Sequence, residues 1–163
     1  LMSADPRRLH PGRPLHGSPA ATPARLAVLP SRLLGQAAMR AGRIVDERLA
    51  AAGARRWHYG VLAALDEHGP ASQAELSRRT GIYRSDMVAV LNELSAQRNV
   101  ERAPDPGDRR RNVITLTAAG RRHLERLDAL VAEAQDALLA PLTEPQRAEL
   151  VRLLARLTDG GHP

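Results

Sequence analysis

A mainly helical fold with one small β-hairpin is predicted for this 163-residue chain by three observations. Apolar residues recur at spacings of three and four over most of residues 31–158. That period is interrupted only near 100–117, where two short apolar segments flank a loop of Pro, Gly, Asp and Arg. Hydrophobic residues are 43% of the chain but include no Phe and one Trp, so the core rests on Leu, Val, Ile and Ala, which suits helix packing.

Composition removes several functions. No apolar run approaches the roughly 18–20 residues of a membrane span. The absence of cysteine excludes disulfides, thiol catalysis, Cys-ligated zinc and thiol redox sensing. All 24 basic residues are arginine, and half of the net charge of +6 lies in residues 1–30, so position matters more than sum for a nucleic-acid partner. Gly-x-Ser-x-Gly, P-loop, Gly-x-Gly-x-x-Gly and His-Glu-x-x-His motifs are missing, and no enzyme and no cofactor is expected.

Residues 1–30 hold six of the twelve prolines and four arginines, which predicts a disordered Pro/Arg-rich tail. Its longest apolar stretch, Leu26 to Leu29, is too short for a signal-peptide core of about 7–15 residues, and a cytoplasmic location is expected. The Leu1-Met2 opening leaves the true start undetermined.

Ser31 is the expected cap of a first helix within 31–54, carrying Leu33, Leu34, Ala37, Ala41, Ile44, Val45 and Leu49. A second runs from Arg55 to His68 and stops at Gly69-Pro70. Ser72 and Glu75 form a capping box for a short third helix that ends at Gly81. The fourth, from Tyr83 to about Gln97, is expected to bury Met87, Val88, Leu91 and Leu94. Two short helices joined by a tight glycine turn make a helix-turn-helix over 72–97. A hairpin over 99–117 follows, then a long helix capped by Thr117 and a last one opened by Thr143 and Gln146, spanning 118–158 together. The expectation is six helices, with a DNA-binding lobe over 55–117 and dimerisation helices at 31–54 and 118–158.

The exposed stripe of the fourth helix is then Arg84, Ser85, Asp86, Ala89 and Asn92. Arg forks onto guanine N7 and O6, Asn pairs bidentately with adenine, Asp accepts from cytosine, and Ser meets a base or a phosphate. The preceding helix crosses the DNA backbone and brings Ser72 and Gln73 to it. Arg109, Arg110 and Arg111 follow Asp108 at a hairpin tip that cannot bury them, where they suit phosphate and a narrow minor groove. A helix-turn-helix followed directly by such a hairpin is a winged helix.

The string Asp108-Arg109-Arg110-Arg111-Asn112-Val113-Ile114-Thr115-Leu116-Thr117 resembles the wing signature Asp-x-Arg-x5-Leu-Thr of the multiple-antibiotic-resistance regulator (MarR) family. The matching positions are Asp108, Arg110, Leu116 and Thr117, with Pro104 to Gly107, Ala118-Ala119-Gly120 and Ser72 to Leu76 also fitting; the resemblance covers about 31–158. It implies a homodimeric winged-helix repressor of double-stranded DNA with a pseudo-palindromic operator, whose terminal helices interlock. In it Arg110 enters the minor groove and Asp108 orients it. Arg109 and Arg111 are assigned to phosphate by position. Tyr83 departs from the family pattern, which often has a small capping residue or Asp there, so that N-cap does not carry over.

The family also implies a small-molecule effector site, often for aromatic or phenolic anions. Trp57, His58 and Tyr59, with Arg40 and Arg43 as counter-charge, are its candidates here. No metal site is expected: His58, His68 and His123, with Asp66 and Glu67, lack close ligand spacing. The alternatives are a winged-helix protein-interaction module and a metal-responsive regulator. Steep salt dependence separates DNA binding from an apolar interface.

Overall fold

The computed structural model describes residues 22–108 and 112–159. Among them lie seven helices and three strands: α1 (Ala24–Ala27), α2 (Pro30–Ala50), α3 (Arg56–His68), β1 (Ala71–Ser72), α4 (Gln73–Thr80), α5 (Arg84–Ala96), β2 (Val100–Pro104), β3 (Asn112–Leu116), α6 (Ala118–Leu139) and α7 (Glu144–Asp159). The chain divides into two units between Gly35 and Gln36.

In the first unit, residues expected to be disordered form a helical turn at Ala24–Ala27, and α2 begins at Pro30 rather than behind a Ser31 cap. Proline is compatible with a helix start, where its missing N–H would be unsatisfied anyway. Residues 1–21 of the predicted tail lie outside the described residues. Leu26, Val28, Leu29, Leu33 and Leu34 are all exposed.

In the second unit α3 is the hub, touching α4, α5, α6 and β3. Its Val61, Leu62 and Leu65 join Leu49, Leu76, Met87, Leu91, Leu94, Ile114 and Leu127 in the core. Each fully buried aliphatic side chain contributes about 1.5–3 kcal/mol. Val88, expected inside, is 45% exposed, and Val90 is buried in its place. α5 therefore turns a slightly different face inward than the one expected.

The sheet order is β1-β3-β2, antiparallel throughout, with Val100 opposite Leu116 and Pro104 opposite Asn112. β1 was not expected. It pairs Ala71 with Ile114 and Ser72 with Val113, and two residues are too few to show a period-two pattern.

Thr117 caps α6: its hydroxyl accepts from the Gly120 N–H at 2.9 Å and lies 2.8 Å from the Arg98 carbonyl, to which it donates. A Cβ at position 120 would stand 2.0 Å from the Asn99 carbonyl oxygen, so only glycine lets α6 start this close to the end of the helix-turn-helix. α7 buries none of its residues, leaving Val151, Leu153, Leu154 and Leu157 exposed.

Candidate nucleic-acid interface

The helix-turn-helix is set by local chemistry at each end. The Ser72 hydroxyl accepts from the Glu75 N–H at 3.3 Å, and Glu75 Oε2 accepts from the Ser72 N–H at 2.8 Å. The Glu75 carboxyl is held below its usual value by the Ser72 N–H and hydroxyl, and further by Arg79 and Arg78. Ser72 is buried, so its hydroxyl serves the cap first. Gly81 ends α4 in the left-handed region at φ 71°, a conformation suited to glycine, and Ile82 anchors the turn in the core. Tyr83 is the N-cap of α5, makes no side-chain capping bond, and is 79% exposed.

Of the α5 residues expected to face DNA, Arg84, Ser85, Ala89 and Asn92 are exposed and Asp86 is half-buried. Exposed Val88 lies among them. Gln73 Nε2 reaches the Arg84 carbonyl at 3.5 Å, linking the starts of α4 and α5. Asn92 is engaged by the wing: Arg102 Nη2, on β2, donates to its Oδ1 at 2.9 Å. A cleft of about 300 Å³ lies between wing and helices, lined by Ser72, Gln73, Ala74, Leu91, Arg102, Asn112 and Ile114. Sequence reasoning missed Arg102 and Asn112. Their only sequence signal is a polar side chain on a strand leading to the loop. Asp108 is exposed, and Asp105 Oδ1 accepts from the Gly107 N–H at 2.8 Å. Arg109, Arg110 and Arg111 lie outside the described residues.

The candidate effector residues diverge. Trp57 is 45% exposed and lines a cavity of about 400 Å³ with Asp46, Ala50, Ala54, Arg55 and Arg56. His58 is turned the other way and is 3% exposed. Its Nδ1 accepts from the Arg55 N–H at 3.2 Å, which leaves Nε2–H to donate to Glu93 Oε2 at 2.6 Å. Tyr59 donates to Asp128 Oδ1 at 3.0 Å, and partial burial with the Asp128 carboxylate raises its pKa above the usual 10.0. Arg43 lies 3.9 Å from Glu47, Arg40 is exposed, and neither lines the Trp57 cavity. The counter-charges there are Arg55 and Arg56, immediately before Trp57 in sequence.

Among the described residues no three His, Asp or Glu side chains converge as a metal site. Asp66 is paired with Arg121, and His68 is 4.0 Å from Glu67. No helix among them is long and apolar enough to cross a membrane.

A MarR family model matches residues 52–111, from the end of α2 through the wing arginines. The HTH-type transcriptional repressor NicR of Pseudomonas putida is 31% identical over 99 residues, 61% of this chain; the match spans only 63% of NicR's own length. The HTH-type transcriptional repressor Mb2911 of Mycobacterium bovis is 32% identical over 128 residues, covering 76% of this chain and 92% of that protein. Among solved structures, Bordetella bronchiseptica BpsR, studied for the regulation of its DNA binding by 6-hydroxynicotinic acid, superposes with a TM-score of 0.75 at 25% identity. That likeness covers 85% of this chain and 99% of BpsR.

Proposed function

The chain belongs to the MarR family, and from that premise we propose that it is a homodimeric, sequence-specific regulator of double-stranded DNA. One observation carries this reading: α5 presents Arg84, Ser85, Ala89 and Asn92 to solvent in a frame held to the wing through Arg102. A major groove admits one such helix while the wing arginines Arg109, Arg110 and Arg111 reach the flanking backbone and minor groove. Exposed Asp108 and half-buried Gln73 are assigned to the edges of the contact, with half-buried Asp86 as a secondary contact.

The exposed apolar face of α7 supports assembly with a second copy. Two-fold symmetry then sets recognition helices about one DNA turn, roughly 34 Å, apart on a pseudo-palindromic operator. The regulator acts in the cytoplasm, has no enzymatic activity, and is a repressor released by a small aromatic anion. The Trp57 cavity with Arg55 and Arg56 supports that ligand class, and BpsR's response to 6-hydroxynicotinic acid is a parallel.

The test is selection from a randomised duplex pool by the full chain, followed by anisotropy against the enriched and a scrambled duplex at two salt concentrations. Enrichment of a palindromic sequence, with affinity that falls steeply as salt rises, is expected. A chain that enriches nothing is not a sequence-specific regulator. No preference for any duplex over the scrambled one at either salt favours a protein-binding winged helix.

A further inference from the structure

Arg55 stands between a cavity and the recognition helix. On one side it lines the Trp57 cavity. On the other its Nη2 donates to Glu93 Oε2, on the third turn of α5. The same oxygen takes the His58 Nε2–H at 2.6 Å, and burial together with the Arg55 N–H fixes the ring in that orientation. Arg55 and His58 hold the Glu93 carboxyl below its usual value, so α5 is tied to the N-terminus of α3 by a charged oxygen.

Both guanidiniums at the cavity already have a carboxylate. Arg56 Nε donates to Asp46 Oδ1 at 2.8 Å, and Arg55 serves Glu93. Each contact engages one nitrogen, Nε of Arg56 and Nη2 of Arg55, so an anion that forks onto the two terminal nitrogens of Arg55 must draw Nη2 from Glu93. Glu93 gives up Arg55 the more readily, because the His58 N–H stays on it. A cavity of this size takes a single-ring ligand, with the Trp57 indole as its aromatic wall.

We propose that Arg55 is the coupling residue of this protein: an aromatic carboxylate against Trp57 takes Arg55 from Glu93 and so loosens the recognition helix at its third turn. This rests on the ligand-released reading above and deepens it. Ligand and Glu93 compete for one cation, and the coupling is reciprocal, since DNA that holds α5 in place keeps Glu93 on Arg55 and weakens the ligand.

Trp57 is the only tryptophan and also lines a neighbouring cavity with Gly60 and Thr80. Its fluorescence therefore reports a ligand at the indole with no DNA present, and the Arg55 and Glu93 variants assign that ligand to the Arg55 side. Benzoate and 6-hydroxynicotinate are titrated into the full chain, with neutral benzamide as the control. Benzoate is expected to shift Trp57 emission far below the concentration at which benzamide does. Glu93→Gln, with Arg55 set free, should bind benzoate about two- to fivefold more tightly than wild type, the range of a partly exposed ion pair. Arg55→Gln should lose the response. Glu93→Asp, which shortens the reach to Arg55, reads the same competition if Glu93→Gln melts early. Equal benzoate affinity in wild type and both Glu93 variants overturns the proposal. So does a benzamide response equal to that of benzoate, or silence toward both acids up to about 10 mM, beyond the millimolar range of weak binding. Failure of the pool to enrich strikes the regulator reading alone, because this competition is read without DNA.

Discussion

Arg102 of β2 donates to Asn92 of α5 at 2.9 Å, so the carboxamide best suited to read an adenine is oriented by the wing. The Asn92 oxygen has two lone pairs and can hold Arg102 while meeting an adenine N6. The pair ties β2 to α5, and in the proposed reading it would make wing and recognition helix act on the duplex together. Asn92→Ala should cost about 1–3 kcal/mol of discrimination at one base pair. Arg102→Ala should reproduce part of that loss, with a coupling of about 0.5–1.5 kcal/mol in a double-mutant cycle of operator affinities. Strictly additive effects would dissolve the brace.

Arg110→Ala should weaken operator binding while leaving the melting temperature unchanged, since the sequence sets this residue in a Pro/Gly/Asp/Arg stretch with no apolar core position to lose. Arg109→Ala, at an assigned phosphate contact, should lower the salt slope of binding by about one. Anisotropy over a salt series separates the two, and wild-type affinity in Arg110→Ala would remove the wing from the interface.

Gly120→Ala should destabilise the fold by about 2–4 kcal/mol in urea unfolding, because backbone stands where the new methyl would go. A loss below about 0.5 kcal/mol, the scatter of ordinary surface changes, would mean that α6 can back away from Asn99.

Stability should fall in two stages on acidification. His123 is buried on α6, and burial, then Arg126, then His58, hold its pKa below 6.5. The unfolded chain takes up that proton first, so its contribution is complete above about pH 6.5 and drains away as pH falls toward the lower folded value. Glu93, Glu75 and Glu149 are shifted down from 4.5, so their contributions persist until the pH drops below that range. His123→Leu should flatten the upper stage and leave the lower one, as read by denaturant midpoints across pH. It also removes a buried Nε2 that has no hydrogen-bond partner among the described residues. An unchanged slope between pH 5 and 7 would place the upper stage elsewhere.

The wild-type chain should sediment at twice 17.7 kDa. Leu154→Asp with Leu157→Asp, on the face of α7 that buries nothing, should shift it toward the monomer at micromolar concentration. A double variant that remains a dimer would put the subunit contact on other helices.

What the sequence announced were the features written in neighbouring residues. The Ser72–Glu75 box, the Gly69 and Gly81 stops and the Thr117 cap each need only a few consecutive positions, and each stands where expected. Val88 and Val90 stand about 200° apart around the helix, and Val90 completes the stripe of Met87, Leu91 and Leu94 at spacings of three and four. Val88 lies about 100° past Met87, at the edge of that stripe, where only the packing of neighbours decides whether it is covered. His58 sat beside Trp57 in the string and reads as a partner for it, yet consecutive helical residues point apart, and its contact is Glu93, 35 positions away. Arg102 on Asn92 and Arg55 on Glu93 are likewise contacts across the fold, which periodicity cannot report.

Ser72 belongs at once to the sheet, opposite Val113, and to the first turn of α4, whose N–H it receives. A single residue thus serves as the joint between the arm that carries the wing and the shaft that carries the helix pair. The hairpin and the opening of α4 share this fixed point, and Gln73, the next residue, lies 3.5 Å from the Arg84 carbonyl at the start of α5. Displacing the hairpin is therefore expected to disturb the start of the helix pair as well, since the two share one residue.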